Sequence, residues 1–125
     1  MELKRVVVTG LGALTPIGNN IEEYWDGLKN GKSGCAPITY FDAEKFKTKF
    51  ACEIKNFDPL EHFDRKEARK LDRFAQYALI SSDEAIIDAG INLDEIDKFR
   101  VGVIWGAGIG GLETFQDEVI NFAEG

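Results

Sequence analysis

The stretch from Asp64 to Gly90 constrains the fold more than any other part of this chain. Leu71, Phe74, Ala75, Ala78, Ser82, Ala85, Ile86 and Ala89 recur at helical spacing and make one apolar stripe. Lys70, Arg73, Gln76, Asp83, Glu84 and Asp88 lie off it. The pattern predicts a single long amphipathic helix, stopped at Gly90 by a residue that accepts the backbone needed just past a helix end. Two apolar, β-branched runs stand on either side of it, Arg5 to Thr9 and Arg100 to Trp105. Both read as buried strands. Each ends in a pair of glycines, Gly10/Gly12 and Gly106/Gly108, a weak internal echo.

The remaining elements are shorter. Thr15 to Asn20 is a loop by composition. Asn20 caps a predicted helix over Ile21 to Asn30, with Tyr24, Trp25 and Leu28 on one face and Gly31 past its end. Ser33 to Tyr40 reads as a loop and Phe50 to Ile54 as a short strand. Leu93 to Phe99 suits a helical turn, and Leu112 to Ala123 a last helix. Strand, helix, weak strand, long helix, strand, helix is the order of an α/β protein.

Composition narrows the function. The net charge of -7 on 125 residues argues against a general nucleic-acid binder, which needs a basic field. Three valines before Thr9 are too few for a signal-peptide core, and no run is long enough to span a membrane. A cytoplasmic protein is expected, with no membrane partner. Cys35 and Cys52 fit no CxxC pattern and, with His62 the lone histidine, cannot supply a four-ligand zinc site. No metal or cofactor is expected, and no nucleophile–base pair can be assembled from these three residues.

Two features are candidate sites. Gly106-Ala107-Gly108-Ile109-Gly110-Gly111 matches G-x-G-x-x-G between a strand-like and a helix-like run, the context of a nucleotide cradle. The acidic partner is misplaced: Glu124 has about the right spacing but no strand before it. The competing reading is a tight strand-to-helix junction that needs glycine for space. Gly10-Leu11-Gly12, followed by Pro16, is a poorer match. The second feature is basic. Lys66, Arg69, Lys70 and Arg73 are spaced i, i+3, i+4, i+7, with Arg65 adjacent, in an otherwise acidic chain. On a continuous helix they share a face fit for a small acidic partner. The competing reading is a solvated helix start balanced by Glu67 and Asp72; basic side chains at a helix N-terminus oppose the macrodipole, a slight argument for function.

The segments "RVVVTGLGALTPIGNN", "YWDGLKNGKSG", "FDRKEARKLDRFAQYAL" and "GAGIGGL" resemble, in order, successive segments of the β-ketoacyl-acyl carrier protein synthases, the condensing enzymes of fatty acid synthesis, with the elongating synthase II type nearest. The resemblance covers all 125 residues. It implies a thiolase-like fold of two pseudo-symmetric α/β halves, of which residues 1–125 form most of the first, an incomplete ketosynthase domain. It implies a homodimer when full length, with acyl carrier protein and acyl and malonyl thioesters as partners and substrates. The implied reaction uses a cysteine to hold the acyl group as a thioester and two histidines to promote decarboxylation and attack. These three residues are expected beyond Gly125. Cys35, Cys52 and His62 do not match them, so the chain alone is expected to be inactive, with exposed apolar faces and poor solubility. The family's carrier-docking residues match Lys66, Arg69 and Lys70, with Arg65 and Arg73 assisting. Its acyl-pocket gate matches Ile109, with Gly108 and Gly110 giving it room. Two alternatives stay open: a nucleotide-binding α/β module at Gly106–Gly111, and a non-catalytic ketosynthase-like subunit such as a chain-length partner.

Overall fold

In the computed structural model, which describes residues 3–125, helices carry the architecture: α1 Ile21–Lys29, α2 Arg65–Ala68, α3 Arg73–Asp88 and α4 Leu112–Glu124. The one sheet among the described residues is a two-residue antiparallel ladder. Strand β1 (Ala36–Pro37) pairs with β2 (Phe50–Ala51), Ala36 opposite Ala51 and Pro37 opposite Phe50. Short 3-10 turns cover Pro59–Glu61 and Lys98–Arg100.

The local signals were sound at the helix ends. The Asn20 side chain accepts the Glu23 N–H at 2.8 Å, satisfying an orphan donor of α1, and the Glu23 carboxylate reaches back past the cap to the Asn19 N–H, also at 2.8 Å. Past the other end, Lys32 N–H bonds to the Gly27 carbonyl and Gly31 N–H to that of Leu28. After α3, Ile91 N–H bonds to Ile86 and Gly90 N–H to Ile87 in the same way. Both are Schellman closures. Each needs a left-handed residue, and Gly31 (φ 61°) and Gly90 (φ 64°) supply it.

The expected strands, one loop and the long helix need correction. The runs Arg5–Thr9 and Arg100–Trp105 are not buried strands: their backbones join no ladder, and Val6 and Ile104 are 89% and 99% exposed. β-branched sequence favours an extended chain, but a strand also needs a neighbour to pair with. Ser33–Tyr40 is not all loop, since it contributes β1. And the helix predicted from Asp64 to Gly90 is two helices. The Asp64 carboxylate caps α2 by accepting Lys66 and Glu67 N–H, both at 2.8 Å, and Asp72 then takes an extended conformation (ψ 153°) that starts α3 afresh.

The interior is small. Ala78 is the only buried apolar side chain among the described residues, and it shares the interior with buried Gln76 and Ser81. The predicted stripe, Leu71, Phe74, Ala75, Ala78, Ser82, Ala85, Ile86 and Ala89, is at least part-buried throughout, but of the three buried side chains only Ala78 belongs to it; Gln76 and Ser81 do not. On α1 the inward positions are Ile21, Tyr24 and Gly27, while Trp25 and Leu28 face out. Residues 10–21 are strapped to α3 by carboxylates. Glu84 accepts the N–H of Ala13 at 2.8 Å and of Ile21 at 2.7 Å, and Asp88 accepts that of Leu11 at 2.8 Å. These side chains lie off the apolar stripe, yet they face protein.

Candidate functional site

The two candidate features of the sequence meet at the starts of α3 and α4. The basic residues do not share one helical face. Arg65 and Lys66 lie on α2, Arg69 caps its C-terminus, Lys70 lies in the turn that follows, and Arg73 opens α3. The break has a cause that can be traced bond by bond. In a continuous helix the carbonyls of Ala68 and Leu71 would accept the N–H groups of Asp72 and Ala75. Here both accept from the Gln76 side-chain amide, at 2.9 and 3.0 Å, while Ala75 N–H turns to the Asp72 carbonyl at 2.9 Å. Arg65, Lys66, Arg69 and Lys70 are exposed, and among the described residues none of the four is in an ion pair.

Arg73 is engaged elsewhere. Its guanidinium pairs with Glu113 at 3.0 Å and lies 4.7 Å above the Tyr40 ring. Burial works against its charge, but Glu113, with Tyr77 and Tyr40, more than offsets this and raises its pKa. Tyr77 beside it is pushed up by its own burial first and by Tyr40 second. Arg73 is therefore engaged with the first turn of α4 and with Tyr40, unlike the four cations before it.

At the glycine junction, Gly110 is left-handed (φ 86°) and Gly111 caps α4. Ile109 is 80% exposed, and no atom lies within 4 Å of where Gly108 would carry a Cβ. The Asp72 carboxylate packs against Gly111 so closely that a Cβ there would collide with it, and it accepts the Thr114 hydroxyl. Asp72 makes no side-chain bond to its own helix, although it occupies the capping position of α3. The terminus of α4, where a phosphate would sit in a nucleotide cradle, thus has a carboxylate beside it already. Phe74, Tyr77, Gly110 and Leu112 border a cavity of about 420 Å³ at this junction.

A second, larger cavity of about 800 Å³ opens between the β1–β2 hairpin and α3, lined by Tyr40, Glu53, Phe57, Arg73 and Gln76 among others. Its rim is held by Glu53, which accepts the Thr39 hydroxyl at 2.7 Å and the N–H groups of Thr39 and Tyr40. The Thr39 hydroxyl is the main reason its pKa is lowered; desolvation opposes, and the Thr39 and Tyr40 N–H groups and the Lys55 charge add to the lowering. Cys35 and Cys52 are exposed free thiols, and His62 stacks on Phe57 at 6.1 Å. The described residues contain no cluster of metal-ligating side chains and no helix long and apolar enough to cross a membrane.

Residues 3–123 match the family model described as "Beta-ketoacyl synthase, N-terminal domain". The chain belongs to the β-ketoacyl synthase family. Among β-ketoacyl synthases it is 48% identical, over 118 residues, to the 3-oxoacyl-[acyl-carrier-protein] synthase 2 of Synechocystis sp. (strain ATCC 27184 / PCC 6803 / Kazusa), covering 94% of this chain and 28% of that protein. The synthase 2 of Staphylococcus aureus (strain COL) is 47% identical over 90% of this chain and 27% of its own length. That of Vibrio harveyi is 45% identical over 93% and 28%. The chain therefore spans little more than a quarter of these relatives. Of solved structures, the ishigamide ketosynthase/chain length factor superposes with a TM-score of 0.62 at 39% identity, covering 72% of this chain and 22% of that one. A second, a type II polyketide synthase carrier protein in complex with its ketosynthase, superposes at 0.51 and 20% identity, over 73% of this chain and 23% of that one, a likeness of fold alone. The ketosynthase-like neighbours place the chain in the thiolase-like condensing-enzyme fold.

Sequence reasoning found the basic residues and the junction but missed what holds them. In the sequence Gln76, Glu84 and Asp88 read only as polar residues off the apolar stripe. The available signal was their position at the border of an apolar stripe, opposite loops whose N–H and C=O groups have no ladder.

Proposed function

We propose that these residues are the N-terminal part of a condensing enzyme that elongates fatty acyl chains by decarboxylative Claisen condensation. A cysteine holds the acyl group as a thioester. Malonyl carrier protein loses CO₂, and the carbanion attacks the thioester carbonyl to give a β-ketoacyl product, two histidines stabilising the developing charge. In this reading all three residues lie outside residues 1–125, which contribute docking and pocket residues. The observation that carries the reading is the 45–48% identity, over at least nine-tenths of the chain, to proteins named 3-oxoacyl-[acyl-carrier-protein] synthase 2.

Lys66, Arg69 and Lys70, with Arg65 beside them, receive the acidic carrier protein. Their exposure and their freedom from ion pairs among the described residues support this. Arg73, assigned an assisting role on sequence, is bound to Glu113 and contributes by holding the turn in place. Ile109 gates the acyl pocket, and Gly108 and Gly110 leave it space to shift. The enzyme works as a homodimer.

Charge reversal at Lys66, Arg69 and Lys70 in the intact protein is expected to abolish carrier binding in a titration with acyl carrier protein, while NAD shows no binding to either form. Unchanged carrier affinity would remove the docking assignment, and saturable NAD binding would reinstate the nucleotide reading. The likeness to a ketosynthase/chain length factor keeps one second reading, a non-catalytic subunit. Incubation with acyl carrier protein loaded with an acyl thioester separates the two: the mass of one acyl group added to a cysteine of the intact protein, with release of the free carrier thiol, supports the enzyme, and its absence supports the subunit.

A further inference from the structure

Gln76 is 5% exposed, and its amide Nε2 donates to Ala68 O at 2.9 Å and to Leu71 O at 3.0 Å. Both partners are acceptors, so the amide must present its NH₂ group to them. These two carbonyls bracket the segment that carries Arg69 and Lys70. Without the amide, two carbonyls freed by the helix break would lack these protein donors, and the chain between α2 and α3 would lose the bonds that fix its shape. Within the turn the Arg69 and Lys70 N–H groups meet the Glu67 carbonyl, the latter at 2.9 Å, and at its far end Asp72 reaches Thr114 and Arg73 reaches Glu113. Gln76 alone reaches both sides of it from the adjacent helix.

We propose that Gln76 is a positioning residue for carrier docking: it holds the Arg69–Lys70 turn in the one shape that presents both cations to an acidic protein. The inference rests on the docking reading above. A partner that binds only the ordered turn sees an affinity reduced by whatever fraction of molecules has the turn out of shape.

The test is a double-mutant cycle in the intact protein, read as the dissociation constant for acyl carrier protein. Gln76→Met keeps length and volume but cannot donate, and is expected to weaken binding roughly three- to tenfold, the span of one or two neutral hydrogen bonds. In an Arg69→Ala/Lys70→Ala background the same substitution is expected to change nothing further. Gln76→Asn, too short by a methylene to reach both carbonyls, serves in the same cycle should the methionine variant fail to fold. Turnover of an acyl group on a short thiol that carries no protein should be unchanged by either. Unaltered carrier affinity, or an equal loss in both backgrounds, overturns the positioning role and leaves docking standing. If Arg69→Ala/Lys70→Ala alone leaves affinity unchanged, the docking reading fails and the inference with it.

Discussion

At one junction, Gly10 and Gly12 lie against α3, where a Cβ would run into the backbone carbonyls of Ala85 and Ser81. At the other, Gly106 and Gly108 have no heavy atom within 4 Å of a Cβ position. The two apolar runs look alike in sequence, each β-branched and each closed by a pair of glycines. The first pair is glycine because backbone passes over backbone. The second pair faces open space, and the packed glycine of that junction is the last one, Gly111, held against Asp72. A repeated pattern in the chain is thus not a repeated structural reason, and only the environment of each position tells them apart.

The contrast can be broken most sharply by Gly12→Val. With Ser81 in the way, the first junction must come off α3, at a cost of about 3 kcal/mol, seen as a lower denaturation midpoint. Gly106→Ala is expected to stay within about 0.5 kcal/mol of the parent. Similar losses at the two positions would end the distinction. Glu84→Ala is expected to come next, at about 1–3 kcal/mol, because it leaves the N–H groups of Ala13 and Ile21 without an acceptor. Gly110→Ala should cost roughly 1–2 kcal/mol through its left-handed backbone. In the intact enzyme Ile109→Phe is expected to shorten the longest acyl chain accepted, and an unaltered chain-length profile counts against the gate.

The smallest effect concerns pH. The pKa of Glu53 is lowered in the folded protein from its ordinary 4.5. Its contribution is therefore complete above about pH 4.5 and is lost as pH falls through the lower folded value. The amide resonances of Thr39 and Tyr40 should titrate below pH 4.5, and Glu53→Gln should remove that titration.

What the sequence made legible was local. Asn20, Asp64, Gly31 and Gly90 mark helix ends because capping uses residues a few positions apart. The α3 stripe is legible for the same reason. The break at Arg69–Asp72 was not, because there a side chain five and eight residues away takes the backbone carbonyls. The runs at Arg5–Thr9 and Arg100–Trp105 misled because β-branching reports an extended chain and says nothing of a neighbour. Of the site, the charges and the glycines were visible, and their attachments were not: Arg73 reads as one more cation until Glu113 and Tyr40 are found on it.

Asp72 and Arg73 are consecutive residues, and both reach across to consecutive residues of α4, Thr114 and Glu113. Opposite charges in that order act as a key with two teeth. All of α4 is exposed, so these two contacts are what join its first turn to the start of α3. The start of the helix behind Ile109 is thus tied to the end of the turn that carries Arg69 and Lys70, and an insertion of one residue between Asp72 and Arg73 or between Glu113 and Thr114 would separate the two contacts.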